Sequence, residues 1–225
     1  MAAASTLPTL PSSPKGFQVV PSEPRMATAL EQIQELCFPT LAPDERITAE
    51  HYRAQMTVFP EGQLAVLSKT GEVVACSTDF ICNVDLERYE HRYIDIVANN
   101  YLSNHDPQGE WLYGADIGVH PEYRRLGLSS LLYQARHNLV RHYNLKGHVV
   151  GGMLKGYGKH KDEMSVEDYV ERVVAGDIFD PTVSIQLKRG FRLHGIIQDY
   201  VEDSSSHNKA ALLIWRNPDY QEVST

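Results

Sequence analysis

One junction limits the fold more than any other: Trp111-Leu-Tyr-Gly-Ala-Asp-Ile-Gly-Val119 reads as a strand and passes almost at once into an amphipathic helix. His120-Pro121 ends the strand, because proline cannot donate to a further ladder. The spacing of Leu128, Leu131, Leu132, Ala135 and Leu139 predicts a helix from near Arg125 to near Asn144. Between strand and helix stands Arg124-Arg-Leu-Gly-Leu-Ser-Ser130. Such a turn aims unpaired backbone N–H groups at one point, and the helix dipole adds positive potential there. Gly127 lets a ligand approach the backbone, since it has no Cβ. Ser129 can bond an oxygen, and Arg124 and Arg125 add charge. The segment Arg125, Leu126, Gly127, Leu128, Ser129 and Ser130 is therefore expected to cradle a pyrophosphate. It matches neither the Walker pattern nor G-x-G-x-x-G. Taken alone, it is also what an ordinary strand-to-helix turn looks like.

Charge narrows the ligand class. The 225-residue chain carries a formal net charge of -8. General nucleic-acid binding needs clustered Lys and Arg, so no nucleic-acid partner is expected. A local basic pocket for one anionic cofactor fits the same balance. The three cysteines, Cys37, Cys76 and Cys82, show no metal-ligand spacing and cannot all pair. A reduced, cytoplasmic setting is expected, with no metal. No apolar run approaches the roughly 20 residues that span a bilayer, so no membrane partner is expected.

The rest of the chain reads as one domain, residues 17–217, between tails 1–16 and 218–225. The first strand is Phe17–Val20. A helix capped at Ser22 turns Leu30, Ile33, Leu36 and Cys37 inward, and Thr48 caps a second helix to about Met56. Gln63–Ser68 and Val73–Cys82 form a hairpin about Lys69–Glu72, and Tyr93–Asn100 reads as a helix. His148–Gly152 is a short buried strand, and 153–164 is a loop. Ser165 and Asp168 resemble a capping box. Asp180-Pro181 starts the helix Thr182–Lys188, Gly190 closes it, and Phe191–Tyr200 with Ala210–Trp215 make a final strand pair. This order predicts a mixed α/β (α+β) fold on one sheet, not a doubly wound one.

Val119-x-Pro121, Arg124-x-x-Gly127-x-Ser129 and the later Gly190-Phe191 together resemble the Gcn5-related N-acetyltransferase (GNAT) superfamily. Its cofactor motif is Gln/Arg-x-x-Gly-x-Gly/Ala, so Ser129 is a mild departure. The resemblance runs from about Phe17 to Trp215. It implies a mostly antiparallel central sheet, splayed between the strands Trp111–Val119 and His148–Gly152 and flanked by helices. Ala115–Arg124, Gly151-Gly-Met153, Lys161–Ser165, Asp180-Pro-Thr182 and Gln186–Phe191 further resemble a subgroup often fused to a nitrilase-like amidase. This chain is too short to hold that amidase and resembles a stand-alone member.

The resemblance implies acetyl-CoA, or another acyl-CoA, as donor. Its pantetheine arm is expected along Ile117, Gly118 and Val119, its pyrophosphate on the turn with Arg124 beside it, and an amine attacks the thioester directly. Relatives often carry a Glu near Tyr113 and a Tyr acid at Gln186; this chain departs at both. Tyr113 and Asp116 are the candidate acid and base, Tyr113 being also readable as core and Asp116 as a strand-end carboxylate bonded to backbone. Being three apart on a strand, they face opposite ways unless a bulge intervenes. Glu110 reads as solvated. Lys155–Lys161, with Tyr157 and His160, and the stretch Tyr89–Tyr101 are readable as acceptor-site walls or as loop and packing. A small-molecule amine is the expected acceptor; a protein lysine and a homodimer stay open. The alternative is an acyl-CoA-binding sensor without catalysis, or the partner of a separate amidase.

Overall fold

The computed structural model describes residues 9–13 and 15–222. Seven strands form one sheet: β1 Gln18–Pro21, β2 Gln63–Leu67, β3 Val73–Cys82, β4 Trp111–Val119, β5 Gly147–Met153, β6 Arg192–Ile197 and β7 Ala210–Arg216. Their spatial order is β1-β2-β3-β4-β5-β7-β6. Every neighbouring pair is antiparallel except β4–β5, which is parallel. The expected mixed α/β, mostly antiparallel sheet is thus the one observed.

Helices α1 Ala27–Cys37 and α2 Ala49–Val58 cover one face; α4 Leu128–His142 covers the other. The glycines of β4 show the division. A Cβ on Gly118 would meet Ile33 and Cys37 of α1, whereas one on Gly114 would meet Arg136 of α4 and His148. In α4, Leu128, Leu132, Ala135 and Leu139 are buried, which gives the apolar stripe expected from their spacing. The helix starts at Leu128, later than expected, because Arg125 and Gly127 both take positive φ, 64° and 85°. In α1, Leu30, Ile33 and Cys37 point inward, but Leu36 is 47% exposed. At 3.6 residues per turn it falls about 120° round the helix from Leu30, outside the stripe.

Thr48 caps α2 through a reciprocal exchange: His51 N–H donates to Thr48 Oγ1 at 3.4 Å and Thr48 N–H to His51 Nδ1 at 3.2 Å. The helix expected over Tyr93–Asn100 stops early, as α3 Tyr93–Ile96. Ala98, Asn99, Asn100 and Leu102 then take positive φ, and Asn100 is buried with its amide on the Glu45 carbonyl at 3.2 Å. Asparagine accepts the left-handed region through local polar bonds, which the periodicity does not reveal. Helix α5 Val166–Ala175 begins at Ser165, whose Oγ accepts from Asp168 N–H at 3.1 Å. Asp180 Oδ1 caps α6 Val183–Lys188, accepting from the N–H groups of Thr182 and Val183 at 2.8 and 2.9 Å.

Of the expected tail 1–16, residues 1–8 and 14 lie outside the described residues. Within the rest, Ser12 bridges Gln18, Val19 N–H donates to the Pro11 carbonyl at 3.1 Å, and Leu10 packs on the core under β1. Ordered chain therefore begins before Phe17. Of the C-terminal segment, 223–225 lie outside, while Asp219 pairs with Arg141 at 2.8 Å and the Gln221 carbonyl accepts from Asn144 at 2.7 Å. Among the described residues no helix is long and apolar enough to cross a membrane.

Candidate active site

The parallel pairing of β4 with β5 runs from Trp111↔Gly147 to Gly114↔Val150 and stops there. Both strands continue: β4 stays paired with β3 to Val119, and β5 with β7 to Met153. The sheet therefore opens in a V whose apex lies at Gly114 and Val150. One wall is the unpaired edge of β4 at Ile117, Gly118 and Val119, free to pair with an extended ligand. Cys37 Sγ and Arg124 Nε both reach the Val119 carbonyl, each at 3.3 Å.

At the mouth of the V the chain makes the turn into α4. Gly127 is its N-cap, at φ 85°, and the space where a Cβ would project is open for 4 Å. Arg124, Arg125 and Gly127 are exposed, Leu126, Ser129 and Ser130 are half-buried, and Leu128 is buried. Within the first helical turn the Ser130 and Leu131 amides return to the Gly127 carbonyl, at 3.0 and 3.4 Å, which leaves those of Leu128 and Ser129 as donors at the mouth. Ser130 is not free, however: Arg189, just past α6, donates to its Oγ. That places a third guanidinium at the cradle, which sequence spacing did not reveal because Arg189 is 59 residues away.

The apex is polar on the α1–α2 face. Thr78 pairs with Asp116 and Asp79 with Gly114, so Ala115 is an extra residue in β4. This bulge cancels the alternation of the strand and turns Tyr113 and Asp116 to the same face. The Tyr113 ring is wholly buried; its hydroxyl lies 2.7 Å from His91 Nε2 and 3.0 Å from Tyr200 Oη. Burial raises the Tyr113 hydroxyl well above its ordinary range, with Tyr200 adding to the shift. Asp116 is 6% exposed, and burial pushes its carboxyl up to about 6 against the pull of Arg136 and Lys155. The Asp116 carbonyl accepts from Arg136.

Tyr200 belongs to the apex by packing: a Cβ on Gly151, the first β5 residue beyond the last β4 pair, would collide with its ring and hydroxyl. Lys155 lies at the same opening, with Nζ 2.9 Å from the Cys37 carbonyl and 4.0 Å from the centre of the Phe38 ring. Burial lowers its ammonium below the ordinary lysine range. This one residue of the Lys155–Lys161 segment reaches the site. Tyr157 is packed in the core beside α5, and His160 pairs with Glu163 at 3.2 Å. Glu110 lies at the other end of β4, 2.6 Å from Lys146. Gln186 is buried on the α4 face, where a Cβ on Gly152 would strike its Oε1, and that oxygen has no hydrogen-bond partner.

No protein-family model matches the chain. The probable hydrolase YhcX of Bacillus subtilis (strain 168) is 38% identical over 194 residues, which cover 86% of this chain and 37% of YhcX. The chain thus spans well under half the length of that relative. The uncharacterized N-acetyltransferase YkwB of the same organism is 33% identical over 196 residues, covering 87% of this chain and 86% of YkwB. The chain belongs to the GNAT superfamily. The same fold is found in the GNAT-like decarboxylase GphF, solved in complex with isobutyryl-CoA. The match has a TM-score of 0.71 at 21% identity and covers 88% of this chain and 98% of that one.

Within this GNAT fold, sequence reasoning missed His91, Tyr200, Lys155 and Arg189. His91 lies in the stretch Tyr89–Tyr101 that is readable as an acceptor-site wall or as packing, and Lys155 opens the other segment left open in this way. Tyr200 closes the strand expected over Phe191–Tyr200, but no local pattern marks it, because its partner Tyr113 is 87 residues away.

Proposed function

We propose that the chain is an acyl-CoA-dependent N-acyltransferase that moves an acyl group from acetyl-CoA, or another acyl-CoA, to an amine. The observation that carries this reading is the course of β4: a free backbone edge at Ile117–Val119 leads from a polar apex to the donor-rich turn at Gly127. A pantetheine arm pairs along that edge, and its pyrophosphate rests on the free amides within Arg125–Ser130, with Arg124 and Arg189 at hand. Bound so, the thioester lies against the apex and the acceptor approaches from the α1–α2 face. Holding the two reactants in line supplies most of the rate, since the attack itself needs no covalent enzyme intermediate. A backbone N–H of the β4 edge near Val119 polarises the carbonyl.

An acceptor ammonium sheds two protons in this reaction. One ends on the CoA sulfur and the other goes to solvent. Asp116 and the Tyr113 hydroxyl, which stand at the apex with Tyr200 and Lys155 beside them, are assigned the traffic. Gln186 cannot ionise, and it sits on the opposite face. The chain's negative charge and the Asp116 carboxylate favour a cationic acceptor, and a small-molecule amine fits the enclosed apex better than a protein lysine. The 38% identity to a probable hydrolase, most of whose length lies outside the match, supports kinship with the amidase-fused subgroup. It also supports a second reading, a CoA-binding partner of a separate amidase.

Thiol release from acetyl-CoA across a panel of amines, amino acids and peptides separates the two. Turnover with any acceptor establishes the enzyme; tight CoA binding without turnover establishes the binding module. Gly127→Glu sets a side chain at positive φ and a negative charge in the cradle. It should weaken CoA binding by calorimetry about tenfold or more, and unchanged affinity would remove the cradle from Gly127.

A further inference from the structure

Three hydrogen bonds at the apex join into a line. His91 Nδ1 lies 2.6 Å from the Tyr89 carbonyl, His91 Nε2 2.7 Å from Tyr113 Oη, and Tyr113 Oη 3.0 Å from Tyr200 Oη. A carbonyl only accepts, so Nδ1 carries the ring proton and Nε2 presents its lone pair. Nε2 then takes the Tyr113 O–H, and Tyr113 Oη is left to accept from Tyr200. The direction of every bond is fixed by the Tyr89 carbonyl at the far end. Tyr200 is fully enclosed and pressed against Gly151 at the apex, whereas His91 is half-buried and reaches the surface. Such a line conducts a proton one way, from the apex outward.

Resting on the acyl-transfer reading above, we propose that Tyr200, Tyr113 and His91 form a proton wire that carries the acceptor's solvent-bound proton from the apex to the surface. The ammonium N–H bond breaks and its electron pair stays on nitrogen as the nucleophile. Tyr200 Oη gains that proton and passes its own to Tyr113, and Tyr113 passes its own to His91 Nε2. The imidazolium formed there releases one proton to water, so each hydroxyl ends neutral. The other amine proton passes by way of the ionised Asp116 carboxylate to the sulfur. Tyr200 touches the acceptor; Tyr113 and His91 act through it and position the line.

The surroundings suit His91 to discharge rather than store the proton. Tyr113 of β4 and Tyr200 face its ring, Glu90 and Asp95 lie near it from its own segment and from α3, and burial lowers its pKa below the ordinary histidine range. At neutral pH the ring is therefore an open acceptor, and a proton placed on it leaves.

The test uses the full chain with an acceptor that the wild type acylates. Tyr200→Phe and His91→Gln keep most of the packing and break the line at its head and its foot. Each should lower kcat about tenfold or more, with CoA affinity and melting temperature near wild type. The deficit should shrink as pH rises towards the acceptor's own pKa, because a free amine has no first proton to lose. A purely structural loss would be the same at every pH, and that result, or full rates in both variants, overturns the wire while leaving the transferase reading intact. Ring-labelled 15N spectra should show His91 as the Nδ1–H tautomer, with Nε2 shifted in Tyr113→Phe; an Nε2–H tautomer overturns the direction assigned here. No turnover by the wild type with any acceptor sinks the transferase reading, and the wire with it.

Discussion

The two faces of β4 at the bulge are both dense in buried ionisable groups, and they differ in whether those groups have a way out. On the α4 face, Arg136 is 1% exposed and pairs with Asp79, 0% exposed, at 2.9 Å. Its guanidinium also donates to the Thr78 and Asp116 carbonyls, which belong to the residue pair next to the bulge. His148 stands 3.6 Å from Asp79, beyond hydrogen-bond reach, and neither of its ring nitrogens has a partner. Burial and the Arg136 charge hold that ring neutral, and burial carries the nearby His137 down to about 2. On the α1–α2 face, Tyr113, Tyr200 and Asp116 are also buried, but the two tyrosines connect to half-buried His91, and half-buried Lys155 acts on Asp116. Buried ionisable groups thus stand in two settings within one strand's width: sealed and paired at a backbone irregularity on one face, connected to the surface on the other.

The largest expected effect falls on the sealed face. Arg136→Met leaves Asp79 uncompensated and strips the bulge carbonyls of their donor. Denaturant unfolding should show a loss of about 3–5 kcal/mol. Adding Asp79→Asn should return part of it, because an uncharged side chain costs less to bury. An Arg136→Met protein that unfolds like the wild type yet loses its rate would exchange the roles of the two faces.

On the connected face the loss should be in rate. Tyr113→Phe or Asp116→Asn should slow acyl transfer about 10²-fold, close to 2.7 kcal/mol of barrier, with CoA affinity kept. Full rates in both variants would end the assignment of proton traffic to these residues.

The smallest effect sharpens the comparison through pH. Burial pushes the Asp116 carboxyl up to about 6 in the fold against 3.8 for a free aspartate, so the folded chain keeps a proton that the unfolded chain releases. Its contribution to stability is complete below pH about 4 and is lost as pH rises through about 6. Over that window the wild type should lose about 1–2 kcal/mol more than Asp116→Asn, measured by unfolding at each pH. The rate should fall below pH about 6 for the same reason, since only the ionised carboxylate can take a proton. Equal stability slopes in the two proteins would show Asp116 to be solvated rather than buried.

The part of the site that lies within one turn of chain was legible in the residues alone. The open approach at Gly127, the strand ending at Val119 and the apolar stripe of α4 are local consequences of a glycine, a proline and a 3.6-residue period, whereas the positive φ that delays α4 to Leu128 was not legible there. The sheet's mixed character followed from the order of these periods, and its splay came with the family resemblance. Tertiary structure alone decided the apex. Tyr113 and Asp116 share a face only because Ala115 is extruded opposite Asp79, a register set by pairing with β3. Arg189 reaches Ser130, Tyr200 reaches Tyr113 and Lys155 reaches Cys37 across 59, 87 and 118 residues. No periodicity records such contacts, because they depend on how packed helices and a splayed sheet bring distant side chains together, and a hydrogen bond is settled by ångströms that a linear pattern does not contain.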